Sequence, residues 1–264
     1  MYKNEKRGES KIKNKGQVTI FIILAVLIVG IAILLYFIIP RAEVTTVFEE
    51  KNPNAFIQTC LEDKIEDTVE LISLQGGSLE PEHYIVHQDD TVEYLCYTNE
   101  YYRGCVMQQP LLKQHIESEI KSGIEIFVGD CFNALKESYE EKNYNVGLEP
   151  GLTNVELLPK RVVASFNYVL TVSRAQTDRY DSFSVVLNNN LYELVGITNS
   201  ILEIEALYGE AETTLYMNYY QDLKVEKLKK SDGSTVYILT NINNGKKFQF
   251  ALRSGVLPPG YRTS

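Results

Sequence analysis

Four cysteines, at positions 60, 96, 105 and 131, are the side chains whose type and spacing most constrain the chemistry of this chain. An even number points to disulfides wherever the compartment is oxidising, with three connectivities open. The pattern favours one. Cys60 sits beside Ile57 and Leu61 on an apolar helical stripe, and Cys131 lies on the apolar face of a second helix. Cys96 and Cys105 flank one hairpin. Pairs 60–131 and 96–105 are therefore expected. Two other readings stay open: four buried thiols in a reducing compartment, or a zinc site built from His83, His87, Cys96 and Cys105. That ligand spacing is looser than the Cys-x2–4-Cys pairs of most zinc sites.

Catalytic patterns are sparse. The chain has only three histidines, His83, His87 and His115. There is no Gly-x-Ser-x-Gly elbow, no Walker loop, no Gly-x-Gly-x-x-Gly and no His-Glu-x-x-His. Asp89-Asp90 does not continue into a calcium loop. No metal or cofactor is called for, and the expectation is that the chain is not an enzyme. Tyr101-Tyr102 and Tyr216-x-x-Tyr219-Tyr220 are aromatic clusters that suit contact with sugars or proteins, or half-buried packing. No Asn-x-Ser/Thr acceptor for N-glycosylation occurs.

These side chains must be placed by an ordered outer domain, and the sequence supplies its elements. Asn52 caps a first helix that Pro53 opens. Ile57, Leu61, Ile65, Val69 and Ile72 form its stripe, and Gly76-Gly77 ends it. Residues 92–97 read as a strand, with 101–106 returning antiparallel. Pro110 opens a second helix running to about Tyr139, with Leu112, Ile116, Ile120, Ile124, Phe127 and Cys131 on one face. Gly123 and Gly129 weaken it slightly. Residues 155–158 and 161–173 are strands, the longer alternating Val162, Ala164, Phe166, Tyr168, Leu170 and Val172 on its apolar face. Residues 180–186 add another strand. A third helix is expected over 187–208, on the spacing of Leu187, Leu191, Leu194, Ile201, Ile204 and Tyr208, and a shorter one near 211–221. A meander of 223–228, 235–242 and 246–252 closes the domain, with Asp232-Gly233 and Asn244-Gly245 at its turns. The fold class is α+β: an N-terminal transmembrane helix followed by an extracytoplasmic domain with an antiparallel sheet and packed helices.

The N-terminus sets the location. From Val18 to Ile39 no residue is charged. As a helix this run spans about 33 Å, enough for the ~30 Å hydrocarbon core. Residues 1–16 hold six Lys/Arg and two Glu, and only Arg41 follows the run closely. The positive-inside rule keeps that end cytoplasmic and puts everything after Pro40 outside. No small-x-small cleavage site follows the run, so it is not an ordinary secretory signal. Residues 42–264 hold 19 basic and 33 acidic side chains, against a net charge of −9 for the whole chain. That acidity is a poor match for nucleic acid and serves solubility. The expected organisation is a basic leader 1–16, a membrane helix 17–39, a stalk 40–50, the outer domain 51–257 and a loose tail 258–264.

The junction Lys15-Gly16-Gln17-Val18-Thr19-Ile20-Phe21 resembles the class III signal peptide of archaeal type IV pilin-like proteins and archaellins. The resemblance implies cleavage between Gly16 and Gln17 by prepilin peptidase on the cytoplasmic face, with the hydrophobic helix retained as anchor or filament core. Many pilins carry Glu at the fifth mature position, where this chain has Phe21. The wider chain is similar to membrane-anchored proteins of small-genome archaea, on the same junction, Cys60-Leu61, Leu74-Gln75-Gly76-Gly77 and Cys131-Phe132. The implied partners are membrane lipid, prepilin peptidase and further copies of the chain. The implied role is structural, adhesive or binding at the cell surface. The competing readings are an uncleaved single-pass envelope receptor and a membrane-tethered enzyme.

Overall fold

A computed structural model describes residues 27–30 and 52–258. The chain divides into two compact units, 1–49 and 50–264. Of the first, residues 27–30 are helical. The expected leader, the Gly16–Gln17 processing site, the anchor bounds Val18 and Ile39, and the stalk all lie outside the described residues. Among the described residues no helix is long and apolar enough to cross a membrane.

The second unit is a mixed α+β fold. Helix α1 (Pro53–Leu74) starts as its residues dictate: the Asn52 side chain accepts from the Ala55 N–H, and Pro53 takes the first helical position. All five stripe residues from Ile57 to Ile72 are buried. Helix α2 (Leu112–Glu140) runs antiparallel to it, with Leu112, Ile116, Ile120 and Ile124 fully enclosed. Val128, not Phe127, takes the next core position, and the Phe127 ring lies under the Lys64 ammonium. Gly123 has a packing reason. A Cβ there would sit 2.7 Å from Thr68 Cγ2, so the missing side chain lets the helices close on each other. The Cys60–Cys131 disulfide joins the same pair of helices, its Cα atoms 6.0 Å apart.

Between the helices come β1 (Tyr84–His87), β2 (Asp90–Tyr97) and β3 (Val106–Met107). Strand β1 was not among the expected elements. The expected return over 101–106 is shorter than predicted, because Tyr102 N–H and the Arg103 carbonyl bond to the C-terminal segment at Val256 and Gly255 instead of to β2. The Cys96–Cys105 disulfide spans this loop.

The strands after α2 form one bent ribbon. Strands β4 (Asn145–Glu149) and β5 (Thr153–Leu158) run against β6 (Arg161–Phe166) and β7 (Val169–Ser173). Strands β8 (Thr177–Tyr180) and β9 (Phe183–Asn188) pair with β7 and β6 in turn. The expected strand over 161–173 is thus two strands. Pro150, Gly151 and Leu152 oppose only Asn167 and Tyr168, so the register slips by one residue and the ribbon bends. Gly151 is needed there, since a Cβ would lie 1.9 Å from the Asn167 carbonyl oxygen. The alternating apolar face survives the bend because Tyr168 stacks on Phe132 of α2, 4.1 Å between ring centroids. Both outer strands of the β5–β6–β9 sheet are blunted by helix side chains. The Gln58 amide pairs with both the N–H and the carbonyl of Val186, Asn54 accepts from Ser184 N–H, and Glu117 accepts from Leu157 N–H.

The expected helix over 187–208 is corrected at its start. Phe183, Val185 and Leu187 alternate inward on β9, and the Asn188-Asn189-Asn190 run breaks the strand before α3 (Leu191–Tyr208) begins. The four-residue step from Leu187 to Leu191 continues the stripe across a chain reversal. Helix α4 (Thr213–Tyr219) follows. The meander β10 (Leu223–Lys229), β11 (Thr235–Asn241) and β12 (Lys247–Arg253) forms as read, with positive φ at Gly233 and Gly245 in its turns. One pairing departs from an antiparallel sheet. Strand β12 lies parallel to β2, joining the two ends of the domain in a six-stranded sheet ordered β1-β2-β12-β11-β10, with β3 also on β2. A single apolar core runs through the helices and sheets. A small cluster of Val92, Tyr94, Val236, Ile238 and Ala251 covers the other face of the large sheet.

Candidate functional site

The sequence-derived candidates are dispersed by the fold. Both cysteine pairs are closed, so neither Cys96 nor Cys105 offers a thiolate to a metal. The His83 ring packs tilted against Tyr94 and edge-on against Tyr97, at 4.6 and 4.3 Å between centroids. His87 is buried on β1 with Nδ1 3.2 Å from Lys230 Nζ. Burial and then the Lys230 charge hold its imidazole below the ordinary value, against an opposing pull from Asp90. Gln88 and Asp89 form the β1–β2 turn with positive φ, and Asp90 accepts from Gln249. Among the described residues no group of three or more His, Cys, Asp or Glu is placed to hold a metal.

One serine meets a histidine. Ser78 Oγ lies 2.7 Å from His115 Nε2 and 2.5 Å from Glu93 Oε2. The carboxylate binds the serine itself and not the imidazole, so the relay that activates a nucleophilic serine is not formed. Ser78 and Glu93 are both buried, and Gly76 packs against Glu93. The cluster fastens the loop after α1 to β2.

A third polar cluster is a buried ion pair. Glu205 of α3, 2% exposed, faces Lys227 of β10 at 2.9 Å and accepts from the Tyr237 hydroxyl and from Ala211 N–H. Lys227 also reaches Glu210 at 2.5 Å.

The arrangement with the character of a binding site lies elsewhere, in a cavity of about 330 Å³ where four chain segments meet. The β5–β6 turn contributes Lys160. The break between β9 and α3 contributes Asn188, Asn189 and Asn190, followed by Glu193, Leu194 and Ile197 on the first turns of α3. The start of β10 brings Tyr220, Asp222 and Leu223, and the β11–β12 turn brings Asn241, Asn243 and Asn244. The segments are bonded to one another. Asn189 N–H donates to the Lys160 carbonyl, and Lys160 N–H donates to Glu193 Oε1. Asn244 Nδ2 donates to Asn190 Oδ1 and Asn241 Nδ2 to Asp222 Oδ2. Six asparagines therefore rim a floor made of Leu194, Ile197 and Leu223. The Tyr219 ring packs edge-on against Tyr220, and Tyr219 is 79% exposed.

Only parts of this site were visible in the sequence. Tyr220 belongs to an aromatic cluster singled out there, and Asn244 to a turn signal. The other asparagines were missed, although two Asn-rich breaks about fifty residues apart, 188–190 and 241–244, were the available signal. No protein-family model, curated protein or solved structure matches the chain.

Proposed function

We propose that the chain is a membrane-anchored, type IV pilin-like cell-surface protein whose folded domain stands outside the membrane and serves in binding or adhesion. The observation that carries the reading is the N-terminal run: a basic leader, Lys15-Gly16-Gln17, then an uncharged stretch to Ile39. Two closed disulfides in the folded domain support an oxidising compartment on the far side of that anchor. Phe21, where many pilins carry Glu, favours a protein that stands alone over one packed in a filament.

A membrane-impermeant amine reagent on intact cells tests the topology. Lys224 and Lys229, with side chains 55% and 63% exposed, should be labelled without lysis. The protein should stay in the membrane pellet after alkaline extraction. Labelling of both lysines only after lysis would contradict the reading.

A further inference from the structure

We propose that the asparagine-rimmed cavity is a binding site for a neutral polyhydroxylated ligand, that is, one or two rings of a saccharide. The inference deepens the binding role proposed above and rests on it for outward access.

The cavity's size is at the lower end of the ~300–1,000 Å³ range of small-molecule sites, which suits a compact ligand. Its charge argues against an ionic one. Lys160, the one cation among the described lining residues, cannot make an anion site beside Glu193 and Asp222. Each carboxylate already turns one oxygen to an amide donor, Glu193 Oε1 to Lys160 N–H and Asp222 Oδ2 to Asn241 Nδ2. A carboxamide presents both donors and acceptors, and a hydroxyl does the same, so an amide rim matches a polyol group for group. The apolar floor and the Tyr220 ring suit the C–H face that a sugar ring presents between its hydroxyls.

A second observation points at a ligand. Glu193 Oε2 is enclosed with no described donor. A buried acceptor without a donor is unfavourable, and an incoming hydroxyl would satisfy it. Beside it, the Asn189 carboxamide holds the start of α3, accepting from Leu191 N–H at 2.8 Å. An unpaired carboxylate oxygen set among carboxamides fits a hydroxyl, which can donate to the one and exchange hydrogen bonds with the others.

The test uses the full chain in lipid nanodiscs free of glycoside detergent. The probes are glucose, galactose, mannose, N-acetylglucosamine and their disaccharides, read by saturation-transfer NMR and titration. At least one should bind saturably. Tyr220→Ala and Asn243→Ala, both at solvent-facing side chains, should each weaken it tenfold or more with an unchanged melting temperature. No saturable binding by any probe up to about 20 mM, weaker than ordinary specific binding, would overturn the proposal. Binding undiminished in both variants would overturn it too, by placing the sugar elsewhere. The assay reads the cavity whichever side of the membrane it faces, so its failure leaves the topology to the labelling result.

Discussion

Replacing Lys227 with Met is expected to destabilise the folded unit by about 3–5 kcal/mol, the cost of leaving a buried charge without its partner. The side chains of Glu205 and Lys227 are 2% and 13% exposed, so solvent screens the pair little. Without the ammonium, Glu205 would hold its charge with only neutral donors, the Tyr237 hydroxyl and Ala211 N–H. Those donors come from β11 and from the loop after α3, so the loss would loosen α3 against the sheet. In a unit of this size the melting temperature should fall by roughly 2–4 °C for each kcal/mol. Lys227→Met with Glu205→Gln should recover part of the loss, since the second change removes the stranded charge. Additive losses in that cycle, or a single-variant cost below about 1 kcal/mol, would show that the pair contributes little.

The same network has a pH signature. Although burial pushes Glu210 up, hydrogen bonds and charge from Lys227 and Lys229 hold its carboxyl below the ordinary 4.5. The contribution is therefore present above that value and lost as pH falls through the depressed folded one. Burial first, then the bond to Glu205 and the nearby carboxylates, push the Tyr237 phenol far above its ordinary 10. That contribution is complete below pH 10 and fades as pH rises beyond it. Lys227→Met should blunt the acid limb.

Removing the Cys60–Cys131 crosslink, as the double Ala variant, is expected to cost about 4 kcal/mol on the chain-entropy model, because it closes a loop of 71 residues. The Cys96–Cys105 bridge, separated by nine, should cost about 2.5. The order follows from loop length, while packing adds to the larger figure. Cys131 lies beside Phe132, whose ring meets Phe166, Phe183 and Tyr168 at the ribbon bend. Denaturant unfolding of the two double variants checks both the sizes and the order. A smaller loss at 60/131 than at 96/105 would contradict the account. Alkylation without reductant should modify no cysteine, and four after reduction and unfolding.

Local chemistry that acts over a few residues was readable from the chain. Asn52-Pro53 starts a helix because a side-chain acceptor and a fixed φ act on the first turn alone. The 3.6-residue stripes of α1 and α2 identify their buried faces, and facing stripes place Cys60 against Cys131. Asn244-Gly245 needs only its own positive φ to make a turn. What was unreadable depends on distant partners. The break at Asn167-Tyr168 arises from three residues across the ribbon opposing two, which no periodicity within 161–173 records. Leu187 fits the stripe of α3 by number and belongs to β9 because β6 pairs with it. The parallel contact of β12 with β2 joins segments some 150 residues apart. The ion pair and the asparagine cavity were invisible for the same reason: Glu205 and Lys227, or Asn189 and Asn243, mean nothing together until α3 and the meander are packed.

The N-terminal residue of the mature protein, read by mass spectrometry from native membranes, tests the central claim most directly. A start at Gln17 is predicted, with the uncharged run through Ile39 intact in the same polypeptide. A start at Met1 or Tyr2 would contradict the processed pilin-like reading and leave an uncleaved signal-anchored surface protein carrying the same folded domain.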